Sequence, residues 1–271
     1  MLTRVHHVGL VVRRLEDGLA LWQDTLGLRV SKQATVVDQG VKAALLPIGR
    51  SEIELLEPIN ADGGVAKVLE KRGEGLHHVC FETPAVAAEL DAARAQGFPL
   101  IDETPRAGLA GDICFLHPKG THGVLVEFAT PPPGEHHQAA ASSALAGLAL
   151  CDVAVRSRDA VRAADVFHAK LGLARADAAA VAPGIVAAAV SAGDVRLLFL
   201  SPDPQAATPE AAALRAEVEA QGEGIAGLVL EVANLATALD ALAGLSPVRQ
   251  GDLVRLAAER CRGVPLAFRR A

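Results

Sequence analysis

The chain has 271 residues, enough for one large or two small domains, and 51% of them are apolar, which supports well-buried cores. A net charge of −6, with Lys and Arg scattered and no basic stripe, argues against nucleic acid or an anionic membrane as the main partner. Cys80, Cys114, Cys151 and Cys261 lie far apart with no CxxC spacing, so they read as reduced thiols, mostly in the core.

The N-terminus enters its first apolar segment without a charged leader, and no later run approaches the ~18 apolar residues of a membrane span, so the expected location is the cytoplasm. Residues 4–12 alternate as a strand, and Leu15 to Thr25 has helical spacing through Leu15, Leu19, Trp22 and Leu26, stopped by Gly27. Strand-like segments follow at 29–36, 41–47 and 51–57. The same order restarts with a strand at 76–83, a helix at 85–96 stopped by Gly97, and strands at 99–101, 111–117 and 123–129. Residues 130–143, a proline run followed by small and polar residues, form the one clear linker, and His136-His137 within it reads as solvated filler.

Beyond the linker the pattern returns. Leu26-Gly-Leu28 recurs as Leu171-Gly-Leu173, Gly73-Glu-Gly75 as Gly222-Glu-Gly224, and the segment 123–128 as 263–268, at offsets of 145, 149 and 140. The expectation is an α+β fold of two related tandem domains, residues 1–130 and 144–271, joined by 131–143. Each domain holds two units of strand, helix and three strands.

One pair of residues is written twice in the first half. His7 is followed by Glu54 and His78 by Glu127, at intervals of 47 and 49 residues, so two related units bring two imidazoles and two carboxylates to one point. Alternation places these four on the sheet face away from the helices, with Val8, Leu10 and Val12 on the other face. Burying two carboxylates without a cation would cost several kcal/mol. A mixed nitrogen and oxygen donor set with open positions suits a divalent ion such as Co, Ni, Mn, Zn or Mg. The same alternation turns His6 and His77 to the opposite face and gives them no chemistry.

Residues 4–129 resemble the methylmalonyl-CoA epimerase family of the vicinal oxygen chelate superfamily. The likeness is carried by Gly73-Glu-Gly-Leu-His-His-Val79, Ile101-Asp-Glu-Thr-Pro-Arg106, Phe115-Leu-His-Pro-Lys119 and Gly123-Val-Leu-Val-Glu127, and it extends through Asp38 to Pro47 and Ile53 to Pro58. The resemblance implies βαβββ units forming a curved mixed sheet around a cavity. It implies an isomerase whose divalent metal chelates two oxygens of a malonyl-type thioester while the carbon between them loses and regains a proton. By resemblance His7, Glu54, His78 and Glu127 are the metal ligands and Glu127 is also a catalytic base. Lys119, His117 and Arg106 are implied as substrate-binding residues, and Lys67, Lys71 and Arg72 are further candidates for holding the acyl-CoA. The chain departs from the family pattern at Ala43, where bacterial members carry a second catalytic Glu.

The second half keeps glycines and apolar strands but has Asp152 opposite His7, Leu198 opposite Glu54, Gly227 opposite His78 and Ala267 opposite Glu127. A domain without ligands is expected to act as a structural partner, making the chain an internal pseudo-dimer that is monomeric overall. Two alternatives stand beside the epimerase: a glyoxalase I-type lyase or another enzyme of the superfamily, and a non-catalytic small-molecule-binding protein of the resistance type.

Overall fold

A computed structural model describes residues 1–134, 145–178 and 181–271. His136 and His137, and most of the linker, lie outside the described residues. The first half runs β1 (Arg4–Val11), α1 (Leu15–Leu19, continued as a π-helical turn Ala20–Thr25), β2 (Lys32–Val36), β3 (Val41–Ile48), β4 (Ser51–Pro58), α2 (Gly64–Arg72), β5 (Gly75–Glu82), α3 (Val86–Ala95), β6 (Arg106–Gly108), β7 (Gly111–Leu116) and β8 (Leu125–Thr130). The second half repeats it with β9 (Ala149–Arg156), α4 (Ala160–Leu171), β10 (Ala174–Ala176), β11 (Ile185–Ala192), β12 (Val195–Pro202), α5 (Pro209–Gln221), β13 (Gly224–Val232), α6 (Leu235–Ala241), β14 (Val248–Gln250), β15 (Leu253–Leu256) and β16 (Leu266–Arg270).

Each half builds one eight-stranded sheet, ordered β2-β3-β4-β1-β5-β8-β7-β6 and β10-β11-β12-β9-β13-β16-β15-β14. The four central strands of the first sheet pair parallel (β1 with β4), antiparallel (β1 with β5) and parallel (β5 with β8). Two expectations need correction. The strand foreseen at 99–101 reduces to a single bridge between Leu100 and Leu116, and the edge strand is β6, after Pro105. The helix α2 has no side-chain cap at its start and was not foreseen.

The apolar positions sort by alternation. Val8, Leu10, Ala44, Leu46, Ile48, Ile53, Leu55, Val79, Phe81, Val126 and Phe128 join one buried core that also takes in Val153, Phe167, Phe199 and Phe268 of the second half. On the other face of the first sheet, Val41, Ala43, Leu45 and Leu56 cluster on one side and Cys80, Ile113, Phe115 and Ala129 on the other. Strands apolar on both faces need cover on both, which accounts for the long apolar runs in β3 and β7. All four cysteines are buried free thiols.

The halves meet through reciprocal contacts. A Cβ at Gly75 would lie 2.8 Å from the Gly263 carbonyl oxygen, and one at Gly224 would lie 3.1 Å from that of Gly123. Likewise a Cβ at Gly49 would sit 2.7 Å from Ala149 Cβ, and one at Gly193 2.8 Å from Arg4 Cβ. Because Gly75 and Gly224, Gly123 and Gly263, Gly49 and Gly193, and Arg4 and Ala149 are repeat equivalents, each contact is made twice. That reciprocity is the mark of a two-fold-related interface, here within one chain. The backbones approach too closely at these points for a side chain, which explains why the glycines recur.

Candidate metal centre

The four central strands each place one polar side chain on the face away from the helices: Glu54 from β4, His7 from β1, His78 from β5 and Glu127 from β8. They are almost wholly buried, at 6%, 0%, 2% and 3% exposure. His7 Nε2 and His78 Nε2 stand 2.9 Å apart. Glu127 Oε2 lies 2.9 Å from the first nitrogen and 3.0 Å from the second, and Glu54 Oε2 lies 3.4 Å from both. Of the sequence-selected residues, these four are brought together as expected.

The spacing fits a common ion. Donors about 2.1 Å from one cation, a usual length for nitrogen and oxygen ligands of such ions, stand about 3.0–3.4 Å from one another in cis-octahedral or tetrahedral arrangement. Two further observations agree. Glu127 Oε2 is buried with no hydrogen-bond partner among the described residues, and Gly9, paired with both Glu54 and His78, leaves room for the imidazole. A Cβ at Gly9 would stand 2.7 Å from His78 Nε2. His7, Glu54 and His78 form by themselves a compact trio able to hold an ion.

Charge in the cluster is strongly coupled. Burial works against the ionised carboxylates, but the two imidazoles outweigh it, holding Glu54 at about 2 and Glu127 lower still. Burial likewise works against protonating His7 and His78, and the carboxylates overcome it, so both are pushed above their ordinary value. Protons thus take the place a cation would fill, and an ion entering the cluster displaces them.

His6 and His77 differ from expectation. Between β1 and β5 the register passes from Val5 opposite Phe81 to His7 opposite Cys80, and from Gly9 opposite His78 to Leu10 opposite Leu76. His6 and His77 are therefore the extra residues of two β-bulges, which re-aim side chains and break the alternation. His6 Nδ1 lies 2.9 Å from His7 Nδ1, and His77 Nδ1 lies 2.9 Å from His78 Nδ1. Each ligand imidazole is so held by its neighbour, with Nε2 directed at the carboxylates. Burial pushes both His6 and His77 down to about 3, so the supporting rings are neutral.

Three more residues at the centre were missed. Glu52 is buried 3.7 Å from His6 Nδ1 and accepts from the Ser31 hydroxyl at 3.2 Å. Its place two residues before Glu54 was the available signal. Cys80 joins His6 and His7 in a second compact trio, and burial holds its thiol protonated. Phe115 meets His78 edge-on, with ring centroids 5.3 Å apart.

The proposed substrate residues divide. Lys119 lines a cleft of about 690 Å³ that also contains Lys67, Lys71 and Arg72. Arg106 lies over the Phe115 ring at 5.5 Å, but its Nε donates to Asp102 at 3.0 Å. His117 Nδ1 accepts from the Lys119 N–H at 3.1 Å and caps the short turn that carries Lys119. Ala43 is buried in the apolar cluster with Val41, Leu45, Leu56 and Leu109.

In the second half the strand registers place Asp152, Leu198, Gly227 and Ala267 where His7, Glu54, His78 and Glu127 stand. Asp152 is neutralised by Arg196, at 2.6 and 3.0 Å, and by Arg269 at 3.4 Å. A carboxylate held by two guanidinium groups has no call for a metal.

Known proteins resemble about half of the chain in sequence. A Bacillus subtilis protein of unassigned function, YqjC, is 38% identical over 51% of this chain and 99% of its own length. The ethylmalonyl-CoA/methylmalonyl-CoA epimerase of Cereibacter sphaeroides is 34% identical over 47% of this chain and 97% of its own. A mutant of 4-hydroxymandelate synthase from Streptomyces coelicolor, at 15% identity and a TM-score of 0.72, shares the fold over 99% of this chain and 92% of its own. The family model of the glyoxalase/bleomycin resistance protein/dioxygenase superfamily matches residues 6–116. With relatives this similar matched over nearly their whole length, the chain belongs to that superfamily.

Proposed function

We propose that residues 1–130 are a metal-dependent isomerase that epimerises methylmalonyl-CoA at C2, and that residues 144–271 are a partner domain completing an internal pseudo-dimer. The observation that carries this reading is the convergence of His7, His78, Glu54 and Glu127 at 2.9–3.4 Å inside a family with an acyl-CoA epimerase among its relatives. These four side chains would hold a divalent ion, which supplies Lewis acidity toward the two oxygens flanking C2.

The chain's own groups do the rest. Glu127 is ionised despite its burial, the state a base needs, and it takes the C2 proton on a carboxylate oxygen. Glu54 completes the charge balance and is kept anionic by the same imidazoles. The apolar clusters on either side exclude water, which strengthens electrostatic interactions at the reacting carbon. Ala43 offers no second base, so Glu127 serves one face of C2, and inversion requires a proton delivered to the opposite face by another donor.

The test is epimerisation of single-epimer methylmalonyl-CoA, followed with and without chelator. Metal-dependent interconversion of the epimers is expected. Turnover of the methylglyoxal–glutathione adduct in its place would assign a lyase, and a metal-free protein indifferent to His78→Ala would assign a binding protein.

A further inference from the structure

We infer that the cleft at the junction of the halves binds the phosphate groups of coenzyme A, and that the second half contributes Arg158 to it. The inference rests on the acyl-CoA reading above but concerns a different part of the molecule. Five cations line the cleft: Lys67, Lys71 and Arg72 from α2, Lys119 from the turn before β8, and Arg158 from the loop after β9. In a chain of net charge −6, none of the five has a carboxylate within ion-pair distance among the described residues.

The one acidic side chain in the cleft is already engaged. Glu223 Oε1 accepts from the Ser157 hydroxyl at 2.9 Å and the Arg158 N–H at 3.0 Å, and lies 3.2 Å from His122 Nδ1. Its carboxylate thus fixes the loop carrying Arg158 and leaves that guanidinium free for an anion. Lys67 and Lys71 stand at i and i+4 on α2, where like charges repel, an arrangement that an anion between them would relieve. The cleft also reaches His77 and Leu125. His77 touches His78, and Leu125 precedes Glu127 by two residues on the same face, so the cleft adjoins the proposed centre.

The molecule carries its own control. The repeat-equivalent cleft, about 560 Å³, is lined by Arg13 where Arg158 stands, Glu74 where Glu223 stands, and Glu259 where Lys119 stands. There Glu74 accepts from the Arg13 N–H at 2.9 Å and lies 3.7 Å from Arg262, and Glu259 is a second carboxylate among three arginines. Of two clefts related by the repeat, the one beside the metal-type cluster sets five cations against one carboxylate, whereas the other sets three against two. Clustered lysine and arginine side chains are the recognition chemistry of phosphate oxygens.

Coenzyme A itself, titrated calorimetrically into the chelator-treated full chain, tests the site without requiring turnover. Wild type is expected to bind, with affinity falling as salt rises. Arg158→Gln and Lys119→Gln should each weaken binding by about three- to tenfold, as the loss of one partly exposed charged contact does. Dephospho-coenzyme A should bind more weakly than coenzyme A, and Arg13→Gln in the equivalent cleft should leave affinity unchanged. Unchanged affinity in both Arg158→Gln and Lys119→Gln, or no binding to wild type, would overturn the inference. Binding that depends on Arg158 in a protein without epimerase activity would uphold the cleft and remove the epimerase. Epimerisation whose KM is indifferent to Arg158→Gln would do the reverse.

Discussion

Gly9 and His78 face each other across β1 and β5, and the imidazole occupies the space that a Cβ on residue 9 would fill, 2.7 Å from Nε2. The glycine is thus part of the site although it carries no donor. Gly9→Ala should displace the ring, cost about 1–3 kcal/mol by overpacking, and lower metal content below one equivalent. Thermal unfolding and elemental analysis of the purified variant check both. In the second half Ala154 pairs with Gly227, so there the side chain and the empty position are exchanged.

Metal binding should stabilise the fold. A ligand at a hundredfold excess over its Kd adds about 2.7 kcal/mol when it binds only the native state. Thermal unfolding of chelator-treated protein should therefore shift upward on adding Co, Ni, Mn or Zn. The shift should vanish in His78→Ala and in Glu127→Gln, whose substitutions remove a donor from the cluster.

Ala43 makes a stereochemical prediction. With one carboxylate as base, the C2 proton returns mostly to the face it left, so exchange with solvent should outpace inversion. Ala43→Glu, on the sheet face that carries Glu54, should supply the missing base and raise inversion relative to exchange by about tenfold or more. Comparing deuterium uptake with epimer ratio in both proteins gives the answer.

Much of this was legible in the sequence because it depends on alternation and repetition. His7, Glu54, His78 and Glu127 alternate with core residues, and the repeat aligns their empty equivalents. The roles of His6 and His77 were not legible, because a bulge is a property of two strands paired out of step. Neither β1 nor β5 alone shows where the extra residue falls. The helix α2 gave no N-terminal signal, as its cap is Gly63 without a side-chain bond. The edge strand moved from 99–101 to 106–108 because Asp102 accepts both the Phe115 N–H and the Arg106 guanidinium, fixing the chain there as an irregular turn.

The junction of the halves should be acid-sensitive at Glu223. Burial alone would raise its pKa, but the Arg158 N–H, the His122 imidazole and the Ser157 hydroxyl outweigh it, so its pKa is lowered in the folded chain. A lowered carboxylate contributes stability above its unfolded pKa, about 4.3, and loses it as pH falls through the folded value. Glu223→Gln should therefore be less stable than wild type at pH 7, and denaturant titrations should show the gap closing as the medium becomes acidic.

The central claim is that Glu127, within the His7, Glu54, His78 and Glu127 cluster, removes the proton at C2. Incubating methylmalonyl-CoA in deuterium oxide and following C2 by NMR tests it directly. Metal-loaded wild type should incorporate deuterium, chelator-treated protein should not, and Glu127→Gln should fall by about a hundredfold or more. Exchange at the wild-type rate in Glu127→Gln, or no metal-dependent exchange in wild type, would contradict the account.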